Sequence, residues 1–357
     1  MNKPLQGISA IMNEPLPDSV ANTDQLEDLL SKPTGAVVQA ISKIAGDLIV
    51  LGAGGKMGPT LTRMAKRALD QAHNTARVYA VSRFSASAAV HRLEAEGIEV
   101  IRCDLLDEAA LDRLPDAENV IYMAGRKFGA TGNEGLTWAM NCYLPGRVCQ
   151  RYRNSRIAAF STGNVYDFTP VHRGGSLEGD ALCPRGDYAM SCLGRERIFQ
   201  HFSSAFNIPV ALIRLNYACE LRYGVLVDIA QKVWAEEPVD VTMGYMNVIW
   251  QGDANAMALQ TLAHAASPPF PLNVAGPETL SVRQAAESFA ERMGKEVRIE
   301  GEEASNALLS NGQLGHRLFG CPRVHAAQLI VWIADWVMRG GPSLGKPTHF
   351  EVRDGKF

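Results

Sequence analysis

Four glycines stand within seven residues, directly after a short apolar run, and this spacing is typical of a phosphate-binding loop. The apolar run at 48–51 has the composition of a buried parallel strand, and apolar residues recur at helical spacing after the loop. Glycines permit a tight turn and bring backbone N–H groups close to an anion at the positive end of a helix dipole. An ordinary tight turn is the alternative. We expect a dinucleotide pyrophosphate to bind at the loop residues Gly52, Gly54, Gly55, Lys56, Met57 and Gly58.

The residues that end the second predicted strand bear on which dinucleotide binds. Ser82 and Arg83 stand about 25 residues after the loop, where an NAD-binding fold usually carries an acid for the ribose 2′-hydroxyl. The Arg83 guanidinium suits a 2′-phosphate instead, although an arginine at a strand end is also often only solvated. The sequence therefore favours NADP over NAD as the cofactor.

Two further positions are expected to contact the same cofactor. Asp104 and Leu105 follow the third predicted strand, where they suit the adenine amino group, with a helix-capping aspartate as the alternative. Ala124 and Gly125 end the fourth predicted strand, and their small size would let a ribose lie against the backbone.

The elements that must position these residues alternate along the chain. Strand-like runs at 78–82, 98–101, 119–123, 157–160 and 210–213 are separated by amphipathic stretches. This alternation predicts an α/β fold with a Rossmann-type doubly wound parallel sheet.

The predicted domain organisation has three parts. Residues 1–46 form an added N-terminal segment with two short helices, the first starting at the capping residue Thr23, and 47–218 form the dinucleotide-binding domain. Residues 219–357 form a smaller α/β substrate lobe with short strands at 239–242, 246–250 and 272–274. Residues near 246–266 return to the Rossmann core.

Composition excludes several classes of function. The 357 residues carry a net charge of −3 without long runs of like charge, which argues against nucleic-acid or membrane partners. The seven cysteines are odd in number and never spaced as CxxC, so neither a disulfide framework nor a zinc site is expected, and His172 and His201 lack ligand spacing. We therefore expect a cytoplasmic protein without a metal, acting on a small molecule.

Further motifs complete a recognisable order. Ser161-Thr162-Gly163-Asn164 follows the fifth predicted strand, and Tyr188 comes 26 residues after Thr162. The other motifs of the series are Asn141, Arg214-Leu-Asn216 and Gly276-Pro-Glu278. In this order, residues 47–295 resemble an extended short-chain dehydrogenase/reductase of the NAD-dependent epimerase/dehydratase family, which includes UDP-sugar epimerases and nucleotide-sugar dehydratases.

The resemblance implies roles for individual residues. Thr162 and Tyr188 match the family's catalytic hydroxyls, while Ser161, Tyr188, Cys192 and Asn216 match cofactor contacts. It implies hydride chemistry on a secondary alcohol or ketone of a sugar or sugar-derived substrate, and a homodimer formed by the helices around Asn141 and Tyr188. The expected substrate contacts are Phe128, Asn164, Arg185 and Tyr217.

The chain departs from the family at the catalytic helix. Cys192 stands where a lysine four residues after the tyrosine normally lowers the tyrosine pKa. A tyrosine with an unperturbed pKa of about 10 is only about one part in a thousand ionised at pH 7, a handicap of about 4 kcal/mol. Lys127 is favoured over Arg126 and Arg195 as the replacement cation. Alternatively, Tyr188 acts as an acid, which needs no phenolate at the start.

A second departure concerns the type of reaction. Gly163 and Asn164 replace the acidic pair that follows the threonine in the family's dehydratases, which disfavours that elimination. The predicted function is an NAD(P)-dependent oxidoreductase or epimerase. The alternative is a catalytically impaired NAD(P)-binding protein that acts as a sensor or supports a partner.

Overall fold

The computed structural model describes residues 15–85, 87–127 and 132–355. The helices are α1 Thr23–Ser31, α2 Gly35–Ile41, α3 Gly58–Gln71, α4 Ser87–Ala95, α5 Glu108–Asp112, α6 Glu134–Trp138, α7 Leu144–Arg151, α8 Gly186–Phe206, α9 Val225–Trp234, α10 Gln251–Gln260, α11 Val282–Met293, α12 Gln313–Phe319 and α13 Ala326–Met338. A π-helical turn, Ala139–Tyr143, joins α6 to α7.

The longer strands are β1 Leu48–Leu51, β2 Val78–Ser82, β3 Glu99–Arg102, β4 Asn119–Tyr122 and β5 Arg156–Thr162. They are followed by β6 Thr169–Pro170, β7 Val210–Leu215, β8 Ala218–Cys219, β9 Val239–Asp240, β10 Tyr245–Met246, β11 Ile249–Trp250, β12 Phe270–Val274, β13 Leu280–Ser281, β14 Ile299–Glu300 and β15 Asn306–Ala307.

Seven strands form one parallel sheet in the order β12-β7-β5-β4-β1-β2-β3. The predicted doubly wound fold is therefore confirmed. The order reverses between β1 and β4, which is where ligands bind in such sheets. The register places Ser161 opposite Arg214 and Thr162 opposite Leu215, so β5 and β7 end together at the same edge of the sheet.

The structure corrects the place of the strand at 272–274, which the sequence assigns to the smaller lobe. It extends over β12 and pairs with β7 as an edge strand of the central sheet, with Leu272 opposite Ile213. Leu272 and Val274 are fully buried there against the same apolar core as α3 and α10. The predicted strand is as short as those of the smaller lobe, but its pairing with β7 and its burial place it in the central sheet.

The N-terminal helices pack on helices α3 and α10 beside the central sheet. Asn22 caps α1 by accepting a hydrogen bond from the Gln25 N–H, so the cap lies one residue before the predicted Thr23. Glu27 of α1 contacts three arginines, with oxygen-to-nitrogen distances of 3.5 Å to Arg63 of α3, 3.8 Å to Arg92 of α4 and 2.8 Å to Arg222 beyond β8. The added segment therefore touches both parts of the protein.

The smaller lobe surrounds a second apolar core built by α9, α11 and α13. After α13 the chain turns back, and residues 341–355, the C-terminal segment, run across the cleft between this lobe and the central sheet. Phe350 of the segment is 3% exposed and packs into the lobe's core. No helix among the described residues is long and apolar enough to cross a membrane.

Candidate active site

The glycine loop is fixed by close backbone approaches. Gly52 has a φ of +94°, and a Cβ atom there would lie 2.6 Å from the Ala124 nitrogen at the end of β4. A Cβ atom on Gly58 would lie 2.3 Å from the Ala53 carbonyl oxygen. Both approaches exclude a side chain, so the loop requires glycine for its own packing.

The same loop presents unused hydrogen-bond donors. Helix α3 has no side-chain cap at Met57. Within the described residues, the backbone N–H groups of Gly54, Lys56 and Met57 have no acceptor. Orphaned N–H groups at the start of a 14-residue helix bind anions well. The loop therefore fits the pyrophosphate of a dinucleotide.

A cleft continues from the loop along the ends of β2, β3 and β4. Arg83 and Asp104 lie across it, with 3.9 Å between a guanidinium nitrogen and a carboxylate oxygen, and both side chains are exposed. A Cβ atom on Gly125 would lie 2.4 Å from the Arg195 guanidinium, so this glycine makes room for that side chain. The cleft is lined by Gly52, Gly54, Gly55, Ser82, Arg83, Phe84, Ser85, Cys103, Asp104, Leu105, Met123, Ala124, Gly125 and Met140.

Thr162 and Tyr188 meet at the carboxyl end of the sheet. The Thr162 hydroxyl oxygen accepts hydrogen bonds from the Asn164 backbone N–H at 3.2 Å and from its side-chain Nδ2 at 3.0 Å. A hydroxyl has two acceptor lone pairs and one proton, so Asn164 leaves the Thr162 proton for another acceptor. A hydrogen bond joins Thr162 to Tyr188. Thr162 thus directs its proton to the phenolic oxygen.

Burial raises the pKa of Tyr188 well above its usual value near 10, and the neighbouring Cys192 raises it further. Arg195 and the hydrogen bond from Thr162 act in the opposite direction. Cys192 is fully buried against Val165 and Tyr166, and burial also raises the pKa of its thiol. Tyr188 is therefore a neutral phenol near pH 7, so it carries a proton to donate and is not a base in this state.

Two cations stand close to the tyrosine. Arg195 is 6% exposed, and its guanidinium donates to the Phe160 carbonyl at 2.8 Å and to the Asn141 side chain. The Lys127 ammonium lies 5.9 Å from the centroid of the Tyr188 ring. The structure thus places both Lys127 and Arg195 beside the position that Cys192 occupies.

Asn141 positions the loop that carries Lys127. Its side-chain oxygen accepts from the Arg126 backbone N–H at 3.0 Å, and its Nδ2 donates to the Arg126 carbonyl at 3.1 Å and to Ser191 at 2.9 Å. Asn141 is fully buried in the π-helical turn, a type of distortion that is common at functional sites. The Asn141 amide therefore fixes both the N–H and the carbonyl group of Arg126, the residue before Lys127.

A buried ion pair, which the sequence patterns did not reveal, supports this arrangement. Glu196 of α8 and Arg214 of β7 approach to 2.7 Å, and their side chains are 0% and 4% exposed. Glu196 also accepts a hydrogen bond from the Ser161 hydroxyl at 2.6 Å. Ser161 therefore joins the end of β5 to α8.

The expected substrate residues divide into two groups. Asn164 and Tyr217 line a pocket together with the expected cofactor contact Asn216 and with Thr162, Tyr188, Lys127, Lys56 and Met57. Arg185 lines an adjoining pocket, where it pairs with Asp167 at 2.6 Å. Phe128 lies outside the described residues.

Residues 48–219 match the model of the NAD dependent epimerase/dehydratase family. No curated protein sequence matches the chain. Similar solved structures include Pal from Bacillus thuringiensis, with a TM-score of 0.69 and 17% identity over 82% of this chain and 99% of that one.

Two other similar structures carry descriptive names. DesIV, a dTDP-glucose 4,6-dehydratase from Streptomyces venezuelae solved with NAD bound, has a TM-score of 0.69 and 16% identity over 82% of this chain and 97% of its own. A UDP-glucuronic acid 4-epimerase from Bacillus cereus in complex with NAD has a TM-score of 0.66 and 16% identity, over 82% of this chain and 99% of its own. At these identities the likeness establishes the shared fold.

Proposed function

Because this chain belongs to the NAD-dependent epimerase/dehydratase family through residues 48–219, we propose that it is an NAD(P)-dependent oxidoreductase or epimerase. Its substrate is a secondary alcohol or ketone of a sugar or a sugar-derived compound. The observation that carries the proposal is the Thr162 to Tyr188 hydrogen bond, directed by Asn164, in a pocket that adjoins the glycine loop.

The chain's own residues handle the proton. A bound nicotinamide cofactor supplies a hydride to a carbonyl carbon or accepts one from a carbinol carbon. Tyr188 donates its phenolic proton to the carbonyl oxygen during reduction and recovers it from the hydroxyl during oxidation. Thr162 stabilises the phenolate by donating its only proton to it. The absence of an acidic pair at Gly163 and Asn164 agrees with hydride chemistry without elimination.

We propose that Arg195 and Lys127 together take the electrostatic role of the missing lysine. Arg195 is buried beside Cys192 and lowers the pKa of Tyr188. Lys127 approaches the same ring from the loop after β4, on the pocket side. Two positive charges near a developing phenolate stabilise it more strongly inside the protein than in water.

The proposal is tested by replacing Lys127 with methionine, which keeps the length of the side chain and removes the charge. We expect kcat to fall about 10- to 100-fold, because phenolate stabilisation is lost, while the Kd for NADPH changes less than threefold. Kd is measured by fluorescence titration, and turnover by nicotinamide absorbance over a panel of sugars and polyols. Lys43→Met serves as the control, since Lys43 is exposed and does not line the pocket.

Tight dinucleotide binding with no turnover of any compound in the panel contradicts the proposed activity. That result favours the alternative of an NAD(P)-binding sensor or partner-supporting protein. An unchanged kcat in Lys127→Met contradicts the proposed role of Lys127 and leaves the proposed activity in place.

We further propose NADP as the preferred cofactor. Ser82, Arg83 and Ser85 line the adenosine side of the cleft, where a 2′-phosphate would meet two hydroxyls and a guanidinium. Arg83→Ala is expected to weaken NADPH binding about tenfold, and NADH binding less than twofold, because a charge-assisted hydrogen bond contributes about 1.5 kcal/mol or more. Titrations with NADPH and with NADH at matched ionic strength measure the two affinities and test the preference. Equal losses for the two cofactors would contradict the preference.

A homodimer is also proposed. Trp138, Tyr143 and Met190 are 38%, 49% and 41% exposed on the helices around Asn141 and Tyr188. Large apolar side chains exposed together on adjacent helices support a protein interface there.

A further inference from the structure

The pocket beside Tyr188 contains a second lysine that the proposed proton transfer does not use. Lys56 comes from the glycine loop, but its side chain turns away from the adenosine cleft. Its ammonium lies 3.3 Å from the centroid of the Tyr223 ring and lines the same pocket as Thr162 and Tyr188. Among the described residues, Lys56 donates no hydrogen bond from its ammonium and forms no ion pair. An ammonium that lines a pocket without an ion-pair partner is suited to a ligand anion.

The carboxylates closest to this lysine are already bonded elsewhere. Glu220 accepts from the Arg222 backbone N–H at 2.8 Å and pairs with its guanidinium at 3.0 Å. Asp228 of α9 accepts from the backbone N–H and the hydroxyl of Thr348, at 2.7 and 2.6 Å. Both carboxylates are therefore bonded to neighbouring parts of the chain, while the ammonium of Lys56 lines the pocket.

Lys127 adds a second positive charge to the same space. It lines the same pocket as Lys56, and its ammonium donates to the Thr348 carbonyl at 3.5 Å. The two lysines are close enough that the charge of Lys127 lowers the pKa of Lys56. Two lysines around one small volume favour an anion there.

The C-terminal segment limits the size of what can bind. Thr348 forms part of the pocket wall, and Phe350 and Arg353 line the adjoining pocket at Tyr217. Gly355 packs so tightly on Gly186, at the start of α8, that a Cβ atom on either glycine would lie within 2.9 Å of the other's backbone. The C-terminal segment therefore occupies the outer part of the cleft, which disfavours a substrate that carries a nucleotide.

We propose that the substrate is a small hydroxy acid without a nucleotide, whose carboxylate binds at Lys56 and Lys127 while its reacting hydroxyl or carbonyl group meets Thr162 and Tyr188. This inference rests on the proposed function and adds the substrate class to it. Sugar acids of four to six carbons have the required charge and size.

The experiment compares matched compounds. Four- to six-carbon aldonates and uronates are assayed with NADP+ or NADPH, beside the corresponding neutral aldoses and polyols and beside UDP-glucuronate. We expect kcat/KM for the best acid to exceed that of its neutral counterpart at least tenfold, and no turnover of UDP-glucuronate. UDP-glucuronate carries the carboxylate as well, so it tests the size limit separately from the charge.

Lys56→Met tests the charge directly. We expect it to raise KM for the best acid at least tenfold and to change KM for neutral compounds little, whereas Lys43→Met leaves both unchanged. The Kd for NADPH is titrated without substrate. A loss of cofactor affinity with no change in KM would assign Lys56 to the cofactor's pyrophosphate and overturn the inference.

The pH dependence gives a second readout. Burial lowers the pKa of Lys56 and of Lys127 to about 8, against the opposing charges of Glu220 and Asp228 and the nearby Cys219 and Cys192 thiols. Both lysines are charged below pH 8 and neutral above it, so KM for the acid should rise as the pH passes 8. A flat KM profile from pH 7 to 9 would contradict the inference.

The outcomes separate the two proposals. Failure to turn over any compound contradicts the proposed function. Turnover confined to neutral sugars or to nucleotide sugars overturns the hydroxy-acid inference and leaves the proposed function in place.

Discussion

Replacing Tyr188 with phenylalanine is expected to lower kcat/KM about 10²- to 10⁴-fold, the usual contribution of a positioned general acid. The phenol is the group held by Thr162 at the end of the sheet, and its raised pKa keeps it protonated near pH 7. Without the hydroxyl, water would have to supply the proton in a pocket enclosed by the C-terminal segment. The measurement is steady-state kinetics with the best substrate of the panel.

The Kd for NADPH in Tyr188→Phe should stay within about threefold of the wild type, because the glycine loop and the adenosine cleft remain intact. Tyr152→Phe is the matched control, since the Tyr152 hydroxyl donates to the Pro115 carbonyl at 3.1 Å and does not line the pocket. Retention of more than a tenth of the wild-type kcat/KM by Tyr188→Phe would show that another group transfers the proton.

Replacing Glu196 with glutamine is expected to lower the free energy of unfolding by about 3–5 kcal/mol, because it leaves the buried Arg214 guanidinium without a counter-charge. The pair is almost fully buried, and Glu196 also holds Ser161. Urea denaturation followed by circular dichroism measures the change.

Two further variants keep this prediction testable. Arg185→Gln breaks an exposed ion pair of similar length, 2.6 Å to Asp167, and should cost at most about 1 kcal/mol. The double variant Glu196→Leu/Arg214→Met removes both charges and should be more stable than Glu196→Gln. A loss below 1 kcal/mol in Glu196→Gln would show that the pair adds little.

Much of the fold was accessible from the sequence because its signals are local. Apolar runs of four or five residues between amphipathic stretches predict the parallel strands, and the structure begins and ends β2 at the predicted residues. The strand at β12 is also visible in the sequence. Its place at the edge of the sheet depends on contacts with β7, which local patterns do not encode.

The candidate site divides in the same way. The glycine spacing predicts the loop, but which way Lys56 points depends on Tyr223, 167 residues later in the sequence. The position of Lys127 beside Tyr188 likewise depends on Asn141 in the π-helical turn, which holds the backbone of the preceding residue Arg126. The role of Thr348 depends on the return of the C-terminal segment, for which no motif exists.

The contacts of Glu27 have a consequence for the entropy of substrate binding. The Glu27 carboxylate joins α1 to Arg63, on the helix that starts at the glycine loop. It also joins α1 to Arg222, which pairs with Glu220 near the pocket beside Tyr188. We expect these contacts to limit hinge motion between the two lobes in the free protein. Less conformational freedom then remains to be lost when a ligand binds, so the N-terminal helices preorganise a site that they do not touch.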